Sequence, residues 1–216
     1  MDFKRPDGQS CPGYVAGPAG APGVVLIQEW WGLNEQMKGL AERMAGAGFR
    51  ALVPDLYRGK IAKDGDEANH MMGELNFLDA AEQDIQGAIS FLKEAGNKVG
   101  VADFCMGGAL TLLSAVRVKG MDAGACFYGI PPAAVAAPKT IKIPIQCHFA
   151  NTDDWCTPEA VDALEAQFKA GGVNYELFRY DAQHAFMNEK RPEVYDAACA
   201  KQAWDRAVEF FERTLA

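Results

Sequence analysis

From residue 23 onward, short runs of consecutive apolar residues alternate with stretches whose apolar positions recur every three or four residues. The runs cover 23–28, 49–53, 98–104, 123–128, 143–149 and 173–180, and their length predicts strands. The periodic stretches predict helices. One starts after Asn34, a capping residue, carries Met37, Leu40, Ala41 and Met44 on one face, and closes at Gly46 and Gly48. One or two more fill 67–95, another follows Cys105, and two lie at 158–170 and 192–215. The Gly/Pro/Ala-rich segment 13–23 reads as a loop leading into the core, and Pro54 stops the 49–53 strand. Strands that are apolar throughout need cover on both faces. The pattern therefore predicts one α/β domain over residues 1–216, a mostly parallel central sheet with helices on both faces. In such sheets the ligand crevice lies beyond the carboxyl ends of the strands.

One junction departs from this alternation. In Val99-Gly100-Val101-Ala102-Asp103-Phe104-Cys105-Met106-Gly107-Gly108-Ala109-Leu110, a β-type run passes into a helical pattern with no loop residues between. A residue on so sharp a strand-to-helix turn is strained, with its side chain above the sheet at a helix N-terminus. Gly107 and Gly108 let the helix press against the strand where a Cβ would clash. This resembles the nucleophile elbow of an α/β-hydrolase, with sulfur in place of the commoner serine hydroxyl. The helix N-terminus is expected to lower the Cys105 pKa, and the Met106 N–H to face an oxyanion formed over the sulfur.

Composition narrows the partners. Apolar residues at 49% and charged ones at 23% are ordinary for a globular chain, and a net charge of −8 argues against nucleic acid or an anionic membrane. No run of 18 apolar residues occurs, and the first residues lack an apolar signal region, so a cytoplasmic protein is expected, monomeric or weakly dimeric. The six cysteines show no Cys-x-x-Cys spacing and read as free thiols. His70, His148 and His184 show no paired ligand spacing, so neither a metal nor another cofactor is expected.

The other chemistry-bearing residues follow strand ends. His184 lies in a loop past the 173–180 strand and beyond the elbow in chain order, where a general base belongs. His148 falls inside a strand and reads as a packed core residue. The turn Ala150-Asn151-Thr152-Asp153-Asp154-Trp155 offers two carboxylates to orient the imidazole; Asp153 is favoured and Asp154 remains open. Glu29, beside Trp30 and Trp31, is expected to be partly desolvated, with a raised pKa that lets it exchange a proton with Cys105. The Trp30 N–H would supply the second oxyanion donor.

Gln28-Glu29-Trp30-Trp31-Gly32-Leu33-Asn34, Val53-Pro54-Asp55-Leu56-Tyr57-Arg58-Gly59-Lys60, Phe104-Cys105-Met106-Gly107-Gly108 and His184-Ala185-Phe186 together resemble the dienelactone hydrolase (carboxymethylenebutenolidase) family. The likeness runs from about residue 23 to the end, including Ala203-Trp204-Asp205-Arg206. It implies the α/β-hydrolase fold and a Cys–His–Asp triad that opens an enol-lactone or small ester. The roles fall on Cys105, His184 and Asp153, with Glu29 activating the thiol and Met106 and Trp30 as oxyanion donors. Trp31, Arg58 and Phe186, from the matching motifs, are expected to bind substrate. The chain departs from the family in three ways: Asp103 replaces the usual glycine two residues before the nucleophile, the acid turn has a doubled aspartate, and Asn188 stands where members have a substrate-binding arginine four residues after the histidine. These departures keep a second reading open, a binder or thiol redox sensor in which Cys105 oxidises and Cys126 or Cys147 resolves it.

Overall fold

The computed structural model describes residues 1–216. Eight strands form one sheet in the order β1-β2-β4-β3-β5-β6-β7-β8. They are β1 (Asp2–Lys4), β2 (Ser10–Ala16), β3 (Gly23–Ile27), β4 (Arg50–Pro54), β5 (Val99–Asp103), β6 (Ala123–Phe127), β7 (Ile145–Thr152) and β8 (Tyr175–Gln183). From β4 to β8 neighbouring strands are parallel, while β1 and β2 pair antiparallel at one edge. This is the predicted mostly parallel sheet, with the arrangement of an α/β-hydrolase.

Side-chain alternation explains the unbroken apolar runs. In β3, Val24 and Leu26 enter one cluster with Met37, Leu40 and Met44 of α1 (Glu35–Gly46) and with Phe210 and Phe211 of α7 (Ala197–Leu215). Val25 and Ile27 enter another, on the opposite face, with Ile85, Ile89 and Leu92 from α3 (Phe77–Asp79) through α4 (Gln86–Lys93), and with Leu110 and Leu113 of α5 (Met106–Arg117). A third cluster seats Val161, Leu164 and Phe168 of α6 (Pro158–Gly171) on β7. Each fully buried large side chain contributes about 2 kcal/mol. No helix is long and apolar enough to cross a membrane.

Several boundaries differ from the pattern. The start of the segment read as a loop belongs to β2; Pro12 and Gly13 weaken its strand signal, yet an antiparallel position near the edge tolerates both. The 67–95 region breaks at Leu75 between α2 (Gly65–Glu74) and α3, and a π-turn at Ala80–Ile85 joins α3 to α4. The last helix begins at Ala197, capped by Asp196, because residues 192–195 fold as turns whose end is tied by Asp196 N–H to the Phe186 carbonyl. Asn34 caps α1 through Met37 N–H at 3.1 Å.

Candidate active site

Cys105 follows β5 and forms the N-cap of α5 with φ 60° and ψ −111°, a backbone region unfavourable to any residue with a Cβ. Its surroundings hold it there. The Cys105 N–H donates to the Phe127 carbonyl at 3.1 Å, and the Cys105 carbonyl accepts from Gly108 N–H at 2.8 Å. A Cβ on Gly108 would come within 2.5 Å of Gly129 Cα, so only glycine lets α5 close on the end of β6.

Asp103 supports this turn from below. It is fully buried; Oδ1 accepts from Phe127 N–H at 2.9 Å, while the Cys105 N–H takes the Phe127 carbonyl. The aspartate side chain and the Cys105 backbone therefore grip one residue of the neighbouring strand. The carboxyl replaces a main-chain acceptor just where the β5–β6 ladder ends at Ala102–Ala125. Burial raises the Asp103 pKa to about 8, against the lowering effect of Thr111 and the Phe127 N–H. An unfolded chain loses this proton near pH 4, the folded one near pH 8, so folded stability is full below about 4 and falls as pH rises to about 8. Asp103→Asn keeps the acceptor and removes the ionisation. It is expected to flatten that decline, raising urea-denaturation stability at pH 8 by on the order of a few kcal/mol with little change at pH 4.

Strand pairing brings Asp153 and His184 to the candidate site. β7 and β8 stay paired as far as Thr152 and Gln183, beyond a register shift after Ala150, and the next residue on each strand is Asp153 and His184. His184 Nδ1 lies 2.7 Å from Asp153 Oδ2, and His184 Nε2 lies 3.2 Å from Cys105 Sγ. Asp153 Oδ1 accepts from the Trp155 and Cys156 amides at 2.8 and 2.9 Å. Burial alone would raise the Asp153 pKa, but the His184 hydrogen bond and charge and these two amides hold it below the usual carboxylate range. Asp154 is exposed and makes none of these contacts. His148 is buried between Tyr180 and Gln146, each 2.8 Å from one ring nitrogen.

The expected lowering of the Cys105 pKa is corrected here. Burial and the Glu29 charge push the thiol above its ordinary range, and the Met106 N–H offsets only part of this. Both effects favour the protonated thiol, whose sulfur lies 3.2 Å from His184 Nε2. Glu29, 5% exposed, is raised to about 7 by burial; its Oε2 accepts from Asn188 Nδ2 at 2.6 Å, which lowers it only partly. Asn188 thus gives Glu29 a neutral partner where an arginine would have held it ionised. The Trp30 N–H has no backbone acceptor, and Trp30 lines the cavity described next.

Cys105, His184, Glu29, Trp30, Trp31 and Met106 line one cavity of about 470 Å³ at the carboxyl ends of the strands. Two expected substrate-binding residues do not. Arg58 turns away, its guanidinium bound to Asp84 at 2.7 and 3.0 Å and to the Asp55 carbonyl at 2.7 Å. Phe186 is fully buried, packed on Tyr128 and Tyr180 beneath the site. The structure adds Trp155, Tyr128 and Arg191 to the lining. Trp155 stood in the acid turn already singled out, but its orientation depends on how Asp153 bonds its amide. Arg191 carried no motif signal.

A model of the dienelactone hydrolase family matches residues 11–215. Protein usf of Aquifex pyrophilus is 36% identical over 227 residues, covering 100% of this chain and 98% of that protein. A protein of Aquifex aeolicus named "Putative carboxymethylenebutenolidase" is 35% identical over 228 residues, with the same coverage. The solved structure of a dienelactone hydrolase-like promiscuous phosphotriesterase from metagenomic libraries shares the fold, with TM-score 0.80 at 22% identity over 100% of this chain and 98% of that one. The chain belongs to the dienelactone hydrolase family and is a hydrolase of carboxylic esters or lactones.

Proposed function

We propose that the protein hydrolyses a small ester or lactone through a thioester acyl-enzyme on Cys105. The observation that carries this reading is the His184 ring, held between Asp153 at 2.7 Å and a strained Cys105 at 3.2 Å. His184 Nε2 takes the thiol proton as Sγ attacks the carbonyl carbon, and Asp153 stabilises the resulting imidazolium. The Met106 and Trp30 N–H groups receive the oxyanion. The leaving group departs with a proton, water activated by His184 attacks the thioester, and the acid is released with Cys105 restored as a thiol.

Glu29 assists at the first step. As a carboxylate it opposes a thiolate at Cys105; once it takes up a proton, that opposition ends. The proton that His184 takes from sulfur, passed on to Glu29, therefore leaves the thiolate in place and removes its repeller together, and the leaving group takes its proton from Glu29. The carboxyl must turn from Asn188 to do this. An alternative role in redox sensing has less support, because Cys126 and Cys147 are both fully buried in the sheet.

A stopped-flow assay with a para-nitrophenyl ester tests the reaction. A burst of about one nitrophenol per protein is expected, its rate rising with pH through about 7 as Glu29 ionises, and Glu29→Gln should lose that limb. Turnover with no burst, and a pH profile untouched by Glu29→Gln, would count against the acyl-enzyme.

A further inference from the structure

The cavity identifies the kind of ester it accepts. Its walls are mainly apolar and aromatic, and three tryptophans meet at its mouth. The rings of Trp30 and Trp31 lie 5.3 Å apart, edge to face, and Trp155 lies 6.2 Å from Trp30 in the same manner. Trp155 also stands 6.5 Å from the His184 ring, directly beside the reacting groups. Yet Trp155 is 66% exposed, the most exposed large hydrophobic side chain of the molecule. Its backbone is anchored by the amide bond to Asp153 and one edge of the ring stands against Trp30, while most of it faces water. An indole held half-open at a reaction centre gains contact area when a flat apolar group covers it.

Charge points the same way. Arg191 is the one cation on the cavity wall, and its Nε is bound to Glu193 at 2.8 Å. Glu29, on the same wall, also feels the Arg191 charge, and Asp153 lies behind His184. Arg58 is occupied by Asp84, and Asn188 brings only an amide. An anionic substrate would meet the Glu29 carboxyl, with Asp153 behind His184 and the one wall cation, Arg191, already engaged through Nε by Glu193, and like charge is costly at low dielectric.

We infer that the substrate is an uncharged, aryl-bearing ester or lactone whose ring packs on Trp155 and Trp30, with Trp155 selecting it. This rests on the Cys105 reaction proposed above. The test compares trifluoroethyl phenylacetate, trifluoroethyl pentanoate and mono-trifluoroethyl succinate, which share a non-aromatic leaving group, followed by proton release. The expected order of kcat/KM is phenylacetate, then pentanoate, then succinate, with phenylacetate ahead of succinate by more than about tenfold. Trp155→Ala is expected to shrink the phenylacetate-to-pentanoate ratio by roughly three- to tenfold, through KM, and Trp155→Phe to recover most of it. Succinate turned over as fast as phenylacetate would overturn the inference and make Arg191 an anion anchor. An equal loss on all three esters in Trp155→Ala would overturn it too. Either result leaves the nitrophenyl burst intact, whereas failure of the reaction itself abolishes that burst.

Discussion

Cys105→Ala is expected to lower kcat for an activated ester by about five to six orders of magnitude, the scale seen when the nucleophile of a hydrolase triad is removed. No neighbouring group can take over. Glu29 is turned onto Asn188, and Tyr128, although on the cavity wall, is a buried phenol held well above its ordinary pKa, first by burial and then by the Glu29 charge. Residual activity is expected from the Met106 and Trp30 N–H groups, proposed above as oxyanion donors, when water attacks directly. The fold should tolerate the change, because Cys105 is only partly buried and alanine meets the same backbone strain at φ 60°. Circular dichroism and urea denaturation check that the variant is native. Steady-state and burst kinetics then read the loss.

Asp153→Asn is expected to cost about four orders of magnitude in kcat, while Asp154→Asn should change it by less than about twofold. Asp153 Oδ2 accepts a hydrogen bond from His184 Nδ1–H, and its Oδ1 accepts from two turn amides. Asparagine can keep the amides on its carbonyl, but its NH2 group then faces Nδ1. The ring answers by moving its proton to Nε2, the atom that must accept from Cys105. Geometry survives and the base is lost. Asp154, one residue on, points to solvent and has no partner in the site. Parallel kcat measurements on the two variants, with KM followed separately, decide which carboxylate serves the imidazole.

Much of this arrangement was legible in the chain. Elements that depend on local pattern were readable: the apolar strands with cover on both faces, the Asn34 cap, and a strand running into a helix at Cys105 with Gly107 and Gly108 behind it. The features that escaped depend on partners distant in sequence. Arg58 belongs to a motif that suggests substrate binding, but Asp84, on the π-turn between α3 and α4, captures its guanidinium. Phe186 follows the catalytic-type histidine, yet Ala185 turns with φ 65° and sends the next ring into the core. The Cys105 pKa was read from the helix N-terminus alone, and burial with Glu29 outweighs it. Asp103 stood out only as a departure from the family's usual glycine. In the fold it acts as an acceptor for Phe127 N–H that the end of the ladder otherwise lacks. Strand β2 was missed because Pro12 and Gly13 erase the local signal that pairing with β4 overrides.

The central claim is that substrate carbon becomes bonded to sulfur. Mass spectrometry of protein quenched in acid during turnover of a para-nitrophenyl ester, followed by peptide mapping, measures this directly. One acyl group on the peptide containing Cys105, removed by hydroxylamine and absent from Cys105→Ala, is the predicted result. An acyl group on a different residue, or full-rate hydrolysis by Cys105→Ala, would contradict it.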